Sequence, residues 1–198
     1  MIISFVSFKG GVGKTTTAFH LAAALGKSTL LLDGDPNQSA LAWSSRNDKF
    51  IEKFETKATT DSFDSSVYKN IVIDTPARPN DSELKTISGN SDLLIVPSFP
   101  DILSLDALVK IINSFNSLKI VNYKVLLTQV FGLVAVRDAK QLLTELDIKF
   151  FDSEIRKRAV FGKAATLGLT VNNLPTGEDS WQDILSLKKE VLRYGKYV

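Results

Sequence analysis

The stretch that most constrains this chain is Ser7-Phe8-Lys9-Gly10-Gly11-Val12-Gly13-Lys14-Thr15-Thr16. It follows an apolar run, Ile2 to Val6, and opens a helical pattern from Thr15 to Leu25, so the local order is strand, glycine-rich turn, helix start. Glycines allow successive backbone N–H groups to turn inward around an anion, and a helix N-terminus adds its unsatisfied donors and the positive end of its dipole. The stretch therefore reads as a phosphate cradle in which Gly10, Gly11, Val12 and Gly13 supply backbone donors for a triphosphate. Lys14 would place a point charge near the β- and γ-phosphates, the Thr15 hydroxyl would coordinate Mg²⁺, and Thr16 would add a hydroxyl near the α-phosphate.

The position that holds the first glycine of the standard phosphate-loop pattern is Phe8, and a lysine, Lys9, stands beside it. This Lys-Gly-Gly-x-Gly-Lys-Thr form resembles the deviant Walker A box of the ParA/MinD family of ATPases. The resemblance implies that Lys9 reaches across a dimer interface to the partner's ATP phosphates, and hence a homodimer bridged by ATP.

Further along, the short run Ser28 to Leu32 ends at Asp33-Gly34-Asp35-Pro36-Asn37-Gln38. Ligands of a parallel sheet sit outside the carboxyl ends of its strands, so both aspartates should face the crevice of the phosphate loop. The pattern is similar to the family's Walker A′ box. That likeness implies that Asp35 positions or activates the water attacking the γ-phosphate and that Asp33 lies near the metal's outer shell. Turn chemistry alone would also account for these residues. Ile71-Val72-Ile73-Asp74-Thr75-Pro76 is an apolar strand ending in a carboxylate, the Walker B arrangement in which Asp74 holds Mg²⁺ directly or through water. Asp74-Thr75-Pro76-Ala77 resembles the family's switch that senses the γ-phosphate.

Strand-length and helix-length patterns then alternate to the end. Helices are expected over Ser39 to Arg46, Asp81 to Ser88, Ile102 to Phe115 (with Asp101 as N-cap) and Val134 to Leu146. Strands are expected over Phe50 to Phe54, Asp92 to Pro97, Tyr123 to Phe131 and, briefly, Lys149 to Phe151, with a polar connection from Ala58 to Ser66. Asp179-Ser180 would cap a last amphipathic helix, Trp181 to Tyr194. This alternation predicts an α/β fold of the P-loop NTPase type, a mostly parallel twisted sheet with helices on both faces, in a single domain spanning residues 1–198. At the end of the Tyr123 strand, the resemblance implies that Thr128 or Gln129 reads the adenine; an ordinary polar strand end explains them equally well.

The chain has no cysteine and one histidine, which removes disulfides, cysteine metal sites, iron–sulfur chemistry and a His-rich zinc site. No signal-peptide pattern and no apolar run of the ~18 residues that a membrane helix needs are present, so a cytoplasmic protein is expected. A net charge of +2 permits nucleic-acid binding without arguing for it. Arg156, Lys157, Arg158 and Lys163 form the densest basic cluster, followed by Lys188, Lys189, Arg193 and Lys196, and these are the candidate contacts to a DNA backbone. Interspersed Asp152, Glu154, Asp183 and Glu190 make a solvated charged face an equal reading.

The region from Ile155 to Val171 is similar to the C-terminal part of ParA-type partition ATPases, specifically the small ones without an N-terminal helix-turn-helix. The resemblance implies an ATPase with slow intrinsic turnover that dimerises on ATP, binds DNA non-specifically in that state, and is released when a ParB-like or cargo-adaptor protein stimulates hydrolysis. Nucleoid association follows from that reading. The alternative is a MinD-like, membrane-associated spatial regulator; no detachable amphipathic tail is evident beyond the last helix, which disfavours it.

Overall fold

The computed structural model describes residues 1–47 and 53–195. In chain order the elements are β1 (Ile2–Ser7), α1 (Lys14–Leu25), β2 (Thr29–Asp33), α2 (Ser39–Ser44), β3 (Glu55–Ala58), β4 (Asn70–Ala77) and α3 (Asp81–Gly89). There follow β5 (Leu93–Ser98), α4 (Ile102–Ser117), β6 (Tyr123–Val130), α5 (Leu133–Glu145), β7 (Phe150–Arg156), α6 (Ala159–Leu167) and α7 (Glu178–Tyr194). The strands form one sheet in the order β3-β2-β4-β1-β5-β6-β7, and every pairing in it is parallel.

Side chains alternate across each strand, and this divides the core into two layers. Ile3, Phe5, Ile95 and Leu126 pack with Phe19 of α1, Trp43 of α2 and Ile184 and Leu187 of α7. Val6, Leu94, Val96 and Leu127 face the other way, onto Leu84 of α3, Leu105 and Ile112 of α4 and Leu143 of α5. Strands buried on both faces must be apolar almost throughout, which is why β1, β2 and β5 read as continuous hydrophobic runs.

β1 lies fourth in the sheet of seven, and β2 and β5 fall on opposite sides of it. The chain order thus reverses at the centre, where a parallel sheet opens a crevice beyond its carboxyl ends. The glycine-rich loop leaves β1 at that point.

Several boundaries differ from the sequence reading. The strand expected at Phe50 to Phe54 falls partly outside the described residues, and β3 instead occupies Glu55–Ala58, where pairing to β2 rather than apolar content makes the strand. β7 runs through Arg156, well past Phe151, because its polar Asp152, Ser153 and Glu154 conceal a strand from a hydrophobicity pattern. Helix α6 lies within the stretch read only as a basic cluster; its buried Val160 and Ala164 and the left-handed Gly168 that ends it (φ 65°) were the available signals. Gly177, rather than Asp179-Ser180, precedes α7, and Asp179 sits in its first turn.

Candidate functional site

The loop between β1 and α1 turns on two left-handed glycines, Gly11 (φ 77°) and Gly13 (φ 82°), and Gly13 forms the N-cap of α1. A side chain is strained in that region, so glycine is required at both positions. The loop's outer carbonyls are held from β6: Thr128 Oγ1 donates to Val12 O at 2.7 Å, and Gln129 Nε2 donates to Gly11 O at 2.7 Å. Just past β4, the backbone N–H of Arg78 donates to Ser7 O at 2.8 Å. Gln129 (φ 49°) and Arg78 (φ 58°) are themselves left-handed, an arrangement that costs backbone energy and is retained on both flanks of the loop.

Inside the loop lies a cavity of about 350 Å³ whose lining includes Lys9, Gly13, Lys14, Thr15, Asp35 and Gln129. Lys14 is buried, and its ammonium donates to Asp74 Oδ1 at 2.6 Å and to Thr75 O, with Asp35 Oδ2 at 3.8 Å. Thr15 Oγ1 donates to the other Asp74 oxygen at 2.5 Å. Burial pushes the Asp74 carboxyl above the usual carboxylate range, and the Lys14 ammonium and the Thr15 hydroxyl pull in the opposite direction. Among the described residues no group of three His, Cys, Asp or Glu side chains could hold a metal. Thr15 and Asp74 nevertheless offer two adjacent hard oxygens, the donor set that suits Mg²⁺ when phosphate oxygens and water complete the shell.

The two aspartates after β2 divide their work. One oxygen of Asp35 accepts from Asn37 N and Asn37 Nδ2, both at 2.9 Å, and the other faces Lys14. Asp33 lies beside Asp74 in the β2–β4 register, and its side chain has structural partners of its own. It is buried, its Oδ1 accepts from Asp35 N at 3.1 Å, and its Oδ2 accepts from Ala40 N and Leu41 N at 2.8 and 3.0 Å. Its carboxylate braces the Asp35 turn against the first turn of α2. Lys9 is exposed, with its ammonium donating to Ser104 Oγ at 3.2 Å and lying 5.3 Å from the Phe99 ring centroid.

A second cavity, about 410 Å³, adjoins the first at Gly13, Thr16 and Gln129 and is walled by Ile155, Arg158, Ala159 and Phe161. Its volume is that of a small-ligand pocket. Thr128 and Gln129 both line it, and each also tethers the phosphate loop, through the Thr128 hydroxyl and the Gln129 amide nitrogen.

The basic cluster also changes meaning. Arg156 Nε donates to Asp183 Oδ1 and Oδ2 at 3.0 and 3.1 Å, Arg156 Nη2 donates to Oδ1 as well, and Arg158 Nη1 reaches Oδ2 at 3.3 Å. Lys188 Nζ donates to Ala24 O at the end of α1, at 2.6 Å. Arg156, Arg158 and Lys188 thus have partners within the chain, Arg156 while remaining exposed, and Lys157, Lys163, Lys189 and Arg193 are exposed as well. Lys196 lies outside the described residues.

Two contributors were missed by the sequence reading. His20 bridges Thr16 O (2.7 Å from Nδ1) to the N–H of Val171 (3.1 Å from Nε2), which ties the first turn of α1 to the segment before α7. Asp183 looked like one acid on a solvated helix face, and only the packing of α7 against β7 shows its partners.

A backbone cradle at the tip of the central strand, opening a helix beside a pocket of nucleoside size, places the molecule among the P-loop nucleotide-binding proteins. Within that class, the chain belongs to the CobQ/CobB/MinD/ParA nucleotide binding domain family, whose model matches residues 3–171. It is 31% identical over 179 residues to the maintenance of carboxysome distribution protein A of Gloeobacter kilaueensis, covering 86% of this chain and 83% of that protein. Among solved structures, it resembles the MinD cell division protein of Aquifex aeolicus with a TM-score of 0.74 at 19% identity, covering 96% of each chain. A putative plasmid partition protein of Borrelia burgdorferi bound to AMPPNP gives a TM-score of 0.66 at 20% identity, covering 95% of this chain and 98% of that one. An ATP complex of a Cyanothece McdA variant gives 0.70 at 15% identity, covering 96% of this chain and 95% of that one.

Proposed function

We propose that this chain is a Mg²⁺-dependent ATPase of the positioning type. ATP bridges two copies, the dimer binds DNA without sequence preference, and a ParB-like or cargo-adaptor protein releases it by stimulating hydrolysis. The observation that carries this reading is the meeting of Lys14, Thr15, Asp74 and Asp35 at the glycine loop, with a second, exposed lysine on the same loop. The carboxysome-distribution relative and the partition and McdA structures support the positioning part.

In this mechanism Lys14 neutralises charge on the transferred phosphoryl group, Asp35 orients the attacking water and Lys9 acts on the nucleotide of the other copy. Thr15 and Asp74 would hold the cation, which when bound adds positive charge at the β- and γ-phosphate oxygens. The exposed Lys157, Lys163, Lys189 and Arg193 are the side chains available for phosphate-backbone contacts.

The test is fluorescence anisotropy of a random-sequence DNA duplex titrated with protein in ATP, in ADP and without nucleotide, at two salt concentrations. Binding only with ATP, weakened by salt, is expected. Equal binding in all three conditions would remove ATP control of the DNA step, and no binding in any would remove the step itself, with the nucleotide site left in place in both cases.

A further inference from the structure

We propose that Asp183 is a positioning residue for the nucleoside half of the site, setting how firmly base and sugar are held without acting on the phosphates; this rests on the nucleotide reading above. The turn from Arg156 to Ala159, between β7 and α6, is one wall of the 410 Å³ cavity. It leaves an edge strand. Among the described residues β7 pairs with β6 alone, the register of that pair shifts between Thr128 and Val130, and the last tie to the sheet is Lys157 N–H donating to Val130 O at 2.9 Å. An edge strand with one irregular neighbour fixes the turn that follows it poorly, so something else must hold this wall.

Asp183 supplies that hold from α7. Its carboxylate is 5% exposed and accepts from the Arg156 backbone N–H at 3.1 Å, from the Arg156 guanidinium through Nε and Nη2, and from Arg158 Nη1 at 3.3 Å. Charge-assisted, forked contacts of this kind are among the stronger hydrogen bonds, and a buried carboxylate stripped of its partners is costly. The turn therefore cannot move off α7 without exposing that cost. The helix itself does not depend on Asp183 for docking, because Ile184, Leu187 and Val191 are fully buried against the sheet and α1. Among the described residues, the carboxylate's polar contacts go to Arg156 and Arg158, which both line the cavity. The glycine loop is fixed by a separate set of bonds from Thr128 and Gln129.

This separation gives the experiment. Affinities of wild type, Asp183→Asn and Arg156→Gln are measured by competition against a fluorescent ATP analogue, with ATP and with inorganic tripolyphosphate as competitors, alongside melting curves. ATP is expected to bind both variants about tenfold more weakly, while tripolyphosphate stays within about twofold of wild type. Equal weakening of both ligands, or unchanged ATP affinity in folded variants, would overturn the positioning role. A wild-type chain that binds neither ligand would sink the nucleotide reading itself, and this inference with it. Should Asp183→Asn fail to fold, Arg156→Gln decides, since the Arg156 side chain is 48% exposed and its removal opens no core.

Discussion

At Asp35 one carboxylate oxygen is held by Asn37 while the other faces Lys14 across the phosphate cavity at 3.8 Å, and the proposed mechanism gives that oxygen the attacking water. Asp35→Ala is therefore expected to keep ATP affinity within a few-fold of wild type and to lose most hydrolysis, read by fluorescent-nucleotide binding and phosphate release; full turnover by the variant would remove Asp35 from the chemistry. His20 gives a pH dependence. Burial lowers its pKa from 6.5 to about 4, partly offset by its bond to Thr16 O, so the ring is neutral in the fold and its Nε2 accepts from Val171. Because the folded pKa lies below the unfolded one, the contribution is intact above about pH 6.5 and is lost as pH falls toward 4. The loss amounts to ~3 kcal/mol at most. Urea midpoints at pH 7 and pH 4.5 should show it, and His20→Gln, less stable at pH 7, should show a smaller drop.

Helix α7 owes its position to an apolar stripe, but its polar side does separate work. Glu190 accepts from the backbone N–H groups of Asp152 and Ser153 at 2.9 and 2.7 Å, and Asp183 from that of Arg156, so carboxylates of α7 satisfy the open edge of β7. Unpaired strand edges invite association with other chains, and this cover removes the risk on that side. Lys188 places its ammonium on a terminal carbonyl of α1, the end of a helix that favours a cation. Lys188→Met, which keeps the apolar stem, should cost ~0.5–1 kcal/mol in a denaturant titration. It should leave DNA affinity unchanged, whereas Lys157→Ala combined with Lys163→Ala should weaken it at low salt. A Lys188 variant with normal stability and reduced DNA binding would reverse that assignment.

For the molecule as a whole, Lys9 is exposed on the phosphate loop, and its ammonium is bonded to Ser104 rather than to Asp74. Lys9→Ala is expected to retain ATP binding and to remain monomeric in ATP by light scattering, against a dimer for wild type; a variant that dimerises as readily would end the cross-subunit role. The sequence by itself determined the phosphate loop, the aspartates at the end of β2 and within β4, and the alternating parallel architecture. These depend on local chemistry: glycines where φ is positive, a helix opening directly after them, apolar runs in strands covered on both faces. Only the tertiary structure decided which polar groups meet across long separations. It turned Thr128 and Gln129 into tethers of the loop, Asp33 into a brace, and Arg156, Arg158 and Lys188 into internal partners of Asp183 and Ala24. A charge or hydroxyl in a sequence carries no record of its partner, because that pairing is fixed by how the helices pack on the sheet.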